Sequence, residues 1–99
     1  MKATLKAIFG AQIRAGRVLL RWSVADLARK SGVSSRTIYR AAAVNGKTLM
    51  TIAKSFAIRD ALEVAGIELL DENENGAGPG ARLKSRVSEG STMVGRRDN

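Results

Sequence analysis

Hydrogen-bonding side chains recur at helical spacing in the segment over residues 35–43. Ile38 and Ala41 lie three residues apart, so they would share one inward-facing side of a helix. This register turns five of the other side chains outward: Ser35, Arg36, Tyr39, Arg40 and Ala43. An arginine carries a planar fork of N–H donors, which matches paired acceptors on a guanine edge or on a phosphate. The pattern therefore predicts a helix whose outer face could contact a nucleic acid.

A second helix and a tight turn precede this segment and would position it. Leu27 and Ala28 fall on the inner side of a helix over roughly 24–31, and the small Ala28 lets another helix cross closely. Gly32 follows where the backbone must turn left-handed, and Val33 fills the turn. Two serines are placed to cap the helices on either side of the turn: Ser23 and Ser34.

These features resemble the Cro and phage-repressor class of helix-turn-helix domains, also called the xenobiotic-response-element type. The resemblance is carried by the following residues: Gln12, Ile13, Arg14, Arg17, Leu20, Trp22, Ser23, Leu27, Ala28, Gly32, Val33, Ser34, Thr37, Ile38 and Arg40. A second stretch, Ala61 to Leu83, is similar to the C-terminal segment of a small bacterial branch of that class. The resemblance implies a mainly α fold, a bundle of four to five helices with a small C-terminal β-hairpin.

We expect four segments along the chain: a basic N-terminal arm (1–9), a helix-turn-helix domain (10–66), a β-hairpin that could mediate dimerisation (67–84) and a flexible basic tail (85–99). The first helix is predicted over roughly 11–21 and the third over 35–43. A fourth helix would be capped by Thr48 or Thr51, end near Ala65 and use Gly66 as its C-cap. Its apolar residues do not form one narrow stripe. Either this helix breaks near Phe56, or it is covered on two sides, which would suggest a partner subunit.

The resemblance also implies two kinds of DNA contact. Base edges in the major groove would be read from the third helix: Ser35, Arg36, Thr37 and Arg40. Phosphates would be bound by residues around it: Arg17, Ser23, Ser34, Tyr39, Asn45 and Lys47. The simpler alternatives are solvated charges for Arg36 and Arg40, ordinary capping for Ser23, and a solvated turn at 45–47.

The sequence departs from the class at two positions. Val24 stands where the class usually has a phosphate-binding Gln. Ala42 stands where it often has a Glu that pairs with the arginine of the first helix. Arg17 therefore lacks its usual partner, and we expect it to be free to meet the DNA backbone.

The net charge of +8 is unevenly distributed. Residues 1–47 hold ten Lys and Arg and a single acid, whereas residues 48–78 hold two bases and six acids. Because the excess lies on the predicted motif, double-stranded DNA is the expected partner. The chain has no Cys and no His, which removes thiolate metal sites, disulfides and the commonest general base.

A calcium-loop pattern begins at Asp71, but its twelfth position is Arg82 instead of Glu. We therefore expect this loop to be a solvated turn. Since the residues form no other catalytic or metal-binding set, we expect no enzyme activity, no cofactor and no metal. No apolar run is long enough to span a membrane, and no export signal is visible, so a cytoplasmic location on the nucleoid is expected.

The sequence thus predicts a sequence-specific DNA-binding transcriptional regulator that binds a palindromic operator as a homodimer through the fourth helix and the hairpin. One alternative is a protein-interaction module of the antitoxin or anti-activator type, with secondary DNA binding. In that case the acidic fourth helix and hairpin would be the working surface. A second alternative, suggested by charge alone, is nonspecific binding to DNA or RNA.

Overall fold

A computed structural model describes residues 7–72 and 76–84. These residues form four helices and a two-stranded antiparallel sheet: α1 (Gly10–Leu20), α2 (Val24–Ser31), α3 (Ser35–Ala42), α4 (Ile52–Val64), β1 (Ile67–Leu70) and β2 (Gly80–Leu83). The predicted mainly α bundle with a C-terminal hairpin is confirmed. The tail over 85–99 and the first six residues of the predicted arm lie outside the described residues. No helix in the described part of the chain is both long and apolar enough to cross a membrane.

Hydroxyl side chains cap three of the helices, as their positions in the sequence predict. The hydroxyl oxygens accept hydrogen bonds from backbone N–H groups three residues further on: Ser23 from Asp26, Ser34 from Thr37 and Thr51 from Lys54. Each bond satisfies a backbone donor that has no partner within its helix. Thr48 is not the cap of α4, because its hydroxyl donates to the Ile8 carbonyl instead. The C-cap of α4 is Ala65, and Gly66 follows it with a φ of 110°.

The core takes one or two fully buried side chains from nearly every element. They are Ile8, Ile13, Leu27, Ile38, Ile58, Leu62 and Ile67. Ile8 falls within the predicted N-terminal arm, yet the structure buries it completely. Its backbone N–H donates to the Ser55 hydroxyl at 3.1 Å, and its carbonyl accepts from the Thr48 N–H at 3.3 Å. Residues 7–9 are therefore part of the folded domain.

The start of α1 and the end of α3 approach each other at van der Waals distance. A Cβ atom on Gly10 would lie 1.9 Å from the Val44 carbonyl oxygen and 2.5 Å from that of Ala41. The Gly10 N–H donates to the Gly46 carbonyl at 2.9 Å. Only glycine fits this crossing, because any Cβ would overlap the two carbonyl oxygens.

A buried amide attaches the hairpin to the bundle. The side chain of Gln12 has no exposed surface, and its Nε2 donates to the carbonyls of Leu70 at 3.0 Å and Gly80 at 3.2 Å. The Arg59 guanidinium on α4 binds the Asp71 carboxylate through two contacts of 3.2 and 3.3 Å. Because an isolated two-stranded hairpin is marginally stable in water, these contacts explain why it folds here.

Helix α4 runs without a break at Phe56, so the first of the two alternatives for this helix is wrong. Ser55, Ile58, Ala61 and Leu62 form its buried side. Its solvent side carries three apolar residues that are 65%, 52% and 80% exposed, which we call the α4 outer face: Ile52, Phe56 and Val64.

We predict that Gly10→Ala destabilises the protein by about 1–3 kcal/mol, because the added methyl group collides with two backbone carbonyls that cannot rotate away. The result would run against helix propensity, since alanine in a helix is normally more stable than glycine. Urea unfolding monitored by circular dichroism measures the change. Gly78→Ala is the control, because a Cβ there meets open space. Equal stability of the two variants would contradict the close approach.

Candidate nucleic-acid interface

Helix α3 divides cleanly into a buried and an exposed side. Ile38, Ala41 and Ala42 are buried against the bundle. Arg36 and Arg40 are exposed on the opposite side, and Tyr39 is 65% exposed between them. Within the described residues, neither guanidinium forms an ion pair or a hydrogen bond. Both forks are therefore available to an external acceptor.

The start of α3 is held by a small hydroxyl network. Besides accepting from the Thr37 N–H, the Ser34 hydroxyl donates to Thr37 Oγ1 at 3.0 Å. Ser34 thus acts as a helix cap here, and a phosphate contact would require its hydroxyl proton to be redirected. Thr37 and Ser35 are half-buried beside it, at the edge of the exposed side.

Arg17 holds the joint between α1 and α2. Its Nη1 donates to the Trp22 carbonyl at 2.9 Å, and its Nε is buried without a hydrogen-bond partner in the described part of the chain. The sequence leads us to expect a guanidinium free for DNA, because Ala42 replaces the usual glutamate. The structure places this side chain half-buried against a backbone carbonyl instead.

Arg14, for which the sequence predicts no particular contact, contacts the end of α3. Its Nη1 donates to the carbonyl oxygens of Ala42 and Val44, the latter at 3.0 Å, and its Nη2 donates to Asn45 Oδ1. The last carbonyls of a helix lack partners within the helix and carry partial negative charge, so a cation there is favourable. The sequence indicates that the last carbonyls of α3 need donors, but it does not reveal which arginine of α1 reaches them. We call this set of contacts the Arg14 clamp.

The turn after α3 carries the predicted phosphate-binding residues Asn45 and Lys47. Asn45 is exposed and uses its side-chain oxygen in the Arg14 clamp, which leaves its amide N–H₂ group outward. Lys47 is exposed, and its backbone forms an isolated antiparallel bridge with Phe9. Arg40 and Lys47 line the same open cleft, as does Lys54 at the start of α4.

Ion pairs neutralise some cations of the described residues but not those of α3. Glu68 pairs with Arg82 at 2.9 Å, and Asp71 pairs with Arg59 at 3.2 Å. The cations of α3 and of the turn after it have no acidic partner among the described residues. The side chains of α3 and of the turn after it therefore contribute positive charge that no ion pair of the described residues compensates.

A capping box fixes the start of α2. Asp26 accepts a hydrogen bond from the Ser23 backbone N–H at 2.8 Å, and the Arg29 guanidinium lies 2.7 Å from its other oxygen. The backbone bond and then the Arg29 bond lower the pKa of Asp26 from 3.8 to about 2. The predicted phosphate-binding Ser23 is exposed, although its hydroxyl already accepts from the Asp26 N–H.

We found no match for the chain among family models, curated proteins or solved structures. The resemblance to the Cro class therefore stays a prediction that stands on the residues quoted for it.

We predict that Asp26→Asn removes an acid-sensitive part of the stability. Since the folded pKa lies below the unfolded one, the carboxylate stabilises the fold fully above about pH 4, and this stabilisation is lost as the pH falls toward about 2. The melting temperatures of wild type and variant should differ at neutral pH and converge near pH 2. Asp60→Asn is the matched control, because it removes a charge from an exposed site without an ion pair in the described residues. A gap that persists unchanged at low pH would contradict the assignment.

Proposed function

We propose that the protein is a sequence-specific DNA-binding transcriptional regulator, which acts on the nucleoid by occupying an operator and carries out no chemistry. The observation that carries the proposal is the exposed side of α3, with Arg36 and Arg40 unpaired in the described residues. On the opposite side of the same helix, Ile38 and Ala41 are buried in the core and hold its backbone in place. A rigid helix with two free guanidinium forks is suited to reading guanine edges in a major groove.

The surrounding residues would set the position of the helix on the duplex. Lys47 and the amide of Asn45 would contact phosphates on one side of α3, and Ser23 at the start of α2 would do so on the other. Arg17 and Ser34 are less suited to this role, because both side chains already have internal partners.

We further propose that the protein binds as a homodimer through α4 and the hairpin. A single module of this size buries little surface on DNA, and two copies on a two-fold site double the number of contacts. The α4 outer face supports this assembly, since it leaves three large apolar side chains in water. Half-sites would then lie about one helical turn apart.

The same α4 outer face favours a second candidate, a protein-interaction module of the antitoxin or anti-activator kind. In that case the apolar side chains would contact another protein, and DNA binding would be secondary. Nonspecific nucleic-acid binding is a third candidate that needs only the positive charge.

Selection of bound fragments from a random DNA pool separates these candidates. We expect one enriched sequence with two-fold symmetry and half-sites about 10 base pairs apart. An enriched site without symmetry would contradict the homodimer. No enrichment over the starting pool would contradict the proposed function and favour the other two candidates.

Two alanine variants test the division of roles on the selected site. Arg36→Ala should cost about 1–3 kcal/mol on the selected sequence and relax the preference at one base pair. Lys47→Ala should weaken selected and random DNA alike and reduce the slope of log K against log salt by about one. Lys30→Ala is the control, since this exposed lysine in the last turn of α2 is assigned no contact with DNA or with a second copy of the chain. Equal losses on both DNAs for Arg36→Ala would contradict a base-reading role.

A further inference from the structure

An open cleft lies between the end of α3 and the start of α4, and its size exceeds what a phosphate contact needs. Its volume is about 570 Å³. Pockets that hold small organic ligands are typically about 300–1,000 Å³. The cleft is therefore large enough for an organic molecule.

The walls of the cleft combine positive charge with apolar surface. Arg40, Lys47 and Lys54 supply three cations, and none has an acidic partner in the described residues. No acidic side chain of residues 7–72 and 76–84 lines the cleft. The apolar lining comes from four further side chains: Ala41, Val44, Leu49 and Met50.

The apolar part of the lining favours an organic anion over a bare phosphate as the ligand. Leu49 is fully exposed and Val44 is 44% exposed, so both leave hydrocarbon in water beside the cations. A phosphodiester would neutralise the charges and leave this hydrocarbon uncovered. A molecule with an apolar body and an acidic head would satisfy both, since burying apolar surface and pairing charge each favour binding.

We propose that this cleft binds a small organic anion with an apolar body, whose carboxylate, sulfonate or phosphate head lies among Arg40, Lys47 and Lys54. Arg40 and Lys47 are also the residues to which the proposed function assigns DNA contacts. If that function holds, the ligand and DNA compete for the same cations, and the ligand acts as an effector that releases the operator.

Direct binding is tested on the full chain without DNA, with anilinonaphthalene sulfonate as the probe. Amide and methyl NMR shifts should move at residues 40–54 and saturate with one site. Lys54→Gln and Met50→Ala should each weaken the affinity roughly threefold or more, through lost charge and lost apolar contact respectively. Lys84→Gln is the matched control, and its affinity should be unchanged. Neutral phenylnaphthylamine should bind more weakly than the sulfonate.

Three outcomes would overturn the proposal. The first is a set of shifts centred elsewhere, such as on the α4 outer face. The second is equal affinity of Lys54→Gln and Lys84→Gln, or of the charged and neutral probes. The third is a change in the NMR shifts of the same cleft residues when the protein concentration is raised without probe. That result would make the cleft an interface between copies of the chain.

A separate measurement tests the effector role. The probe should displace the selected DNA at concentrations near its own dissociation constant, and Lys54→Gln should raise the concentration needed. If the probe binds the cleft but the DNA selection enriches no site, the ligand site is supported and the proposed function is contradicted. Simultaneous binding of probe and DNA would contradict the effector role alone.

Discussion

The position of α3 depends on how its C-terminal end is held. Arg14 satisfies the carbonyls of Ala42 and Val44 and the side chain of Asn45, while Gly10 lets the backbone of α1 come close enough for these bonds to form. A helix of eight residues has little stability of its own, so such tertiary contacts decide its orientation. The orientation of the exposed arginines therefore depends on how firmly this end of the helix is held.

The same arrangement separates anchoring charges from free ones. Arg14, Arg17 and Arg59 donate to groups within the molecule, and Arg82 pairs across the hairpin. Arg36 and Arg40 on α3 are left without partners in the described residues. The net charge alone does not make this distinction. This difference between paired and unpaired arginines is why the proposed function rests on one side of α3 and not on the total charge.

The sequence predicts the elements better than it predicts the partners of long side chains. Local signals placed the helices within a residue or two, because capping hydroxyls and apolar spacing act over one turn. The sequence places Ile8 in an arm, because its burial depends on Ser55 and Thr48, which lie 47 and 40 residues away. The sequence predicts a free Arg17 and no particular contact for Arg14, because a guanidinium can reach several acceptors. Choosing among those acceptors requires the packed geometry.

The most direct test of the account is amide hydrogen exchange in Arg14→Met. The Gly10 amide donates to the Gly46 carbonyl, and the Ala43 amide donates to the Tyr39 carbonyl. If Arg14 holds the end of α3, both amides should exchange about tenfold faster in the variant. The exchange rate of the Gly32 amide at the end of α2 should not change. Arg36→Met makes the same chemical change on an exposed side of α3 and should leave all three rates unaltered. Equal exchange in the two variants would contradict the claim that Arg14 fixes α3.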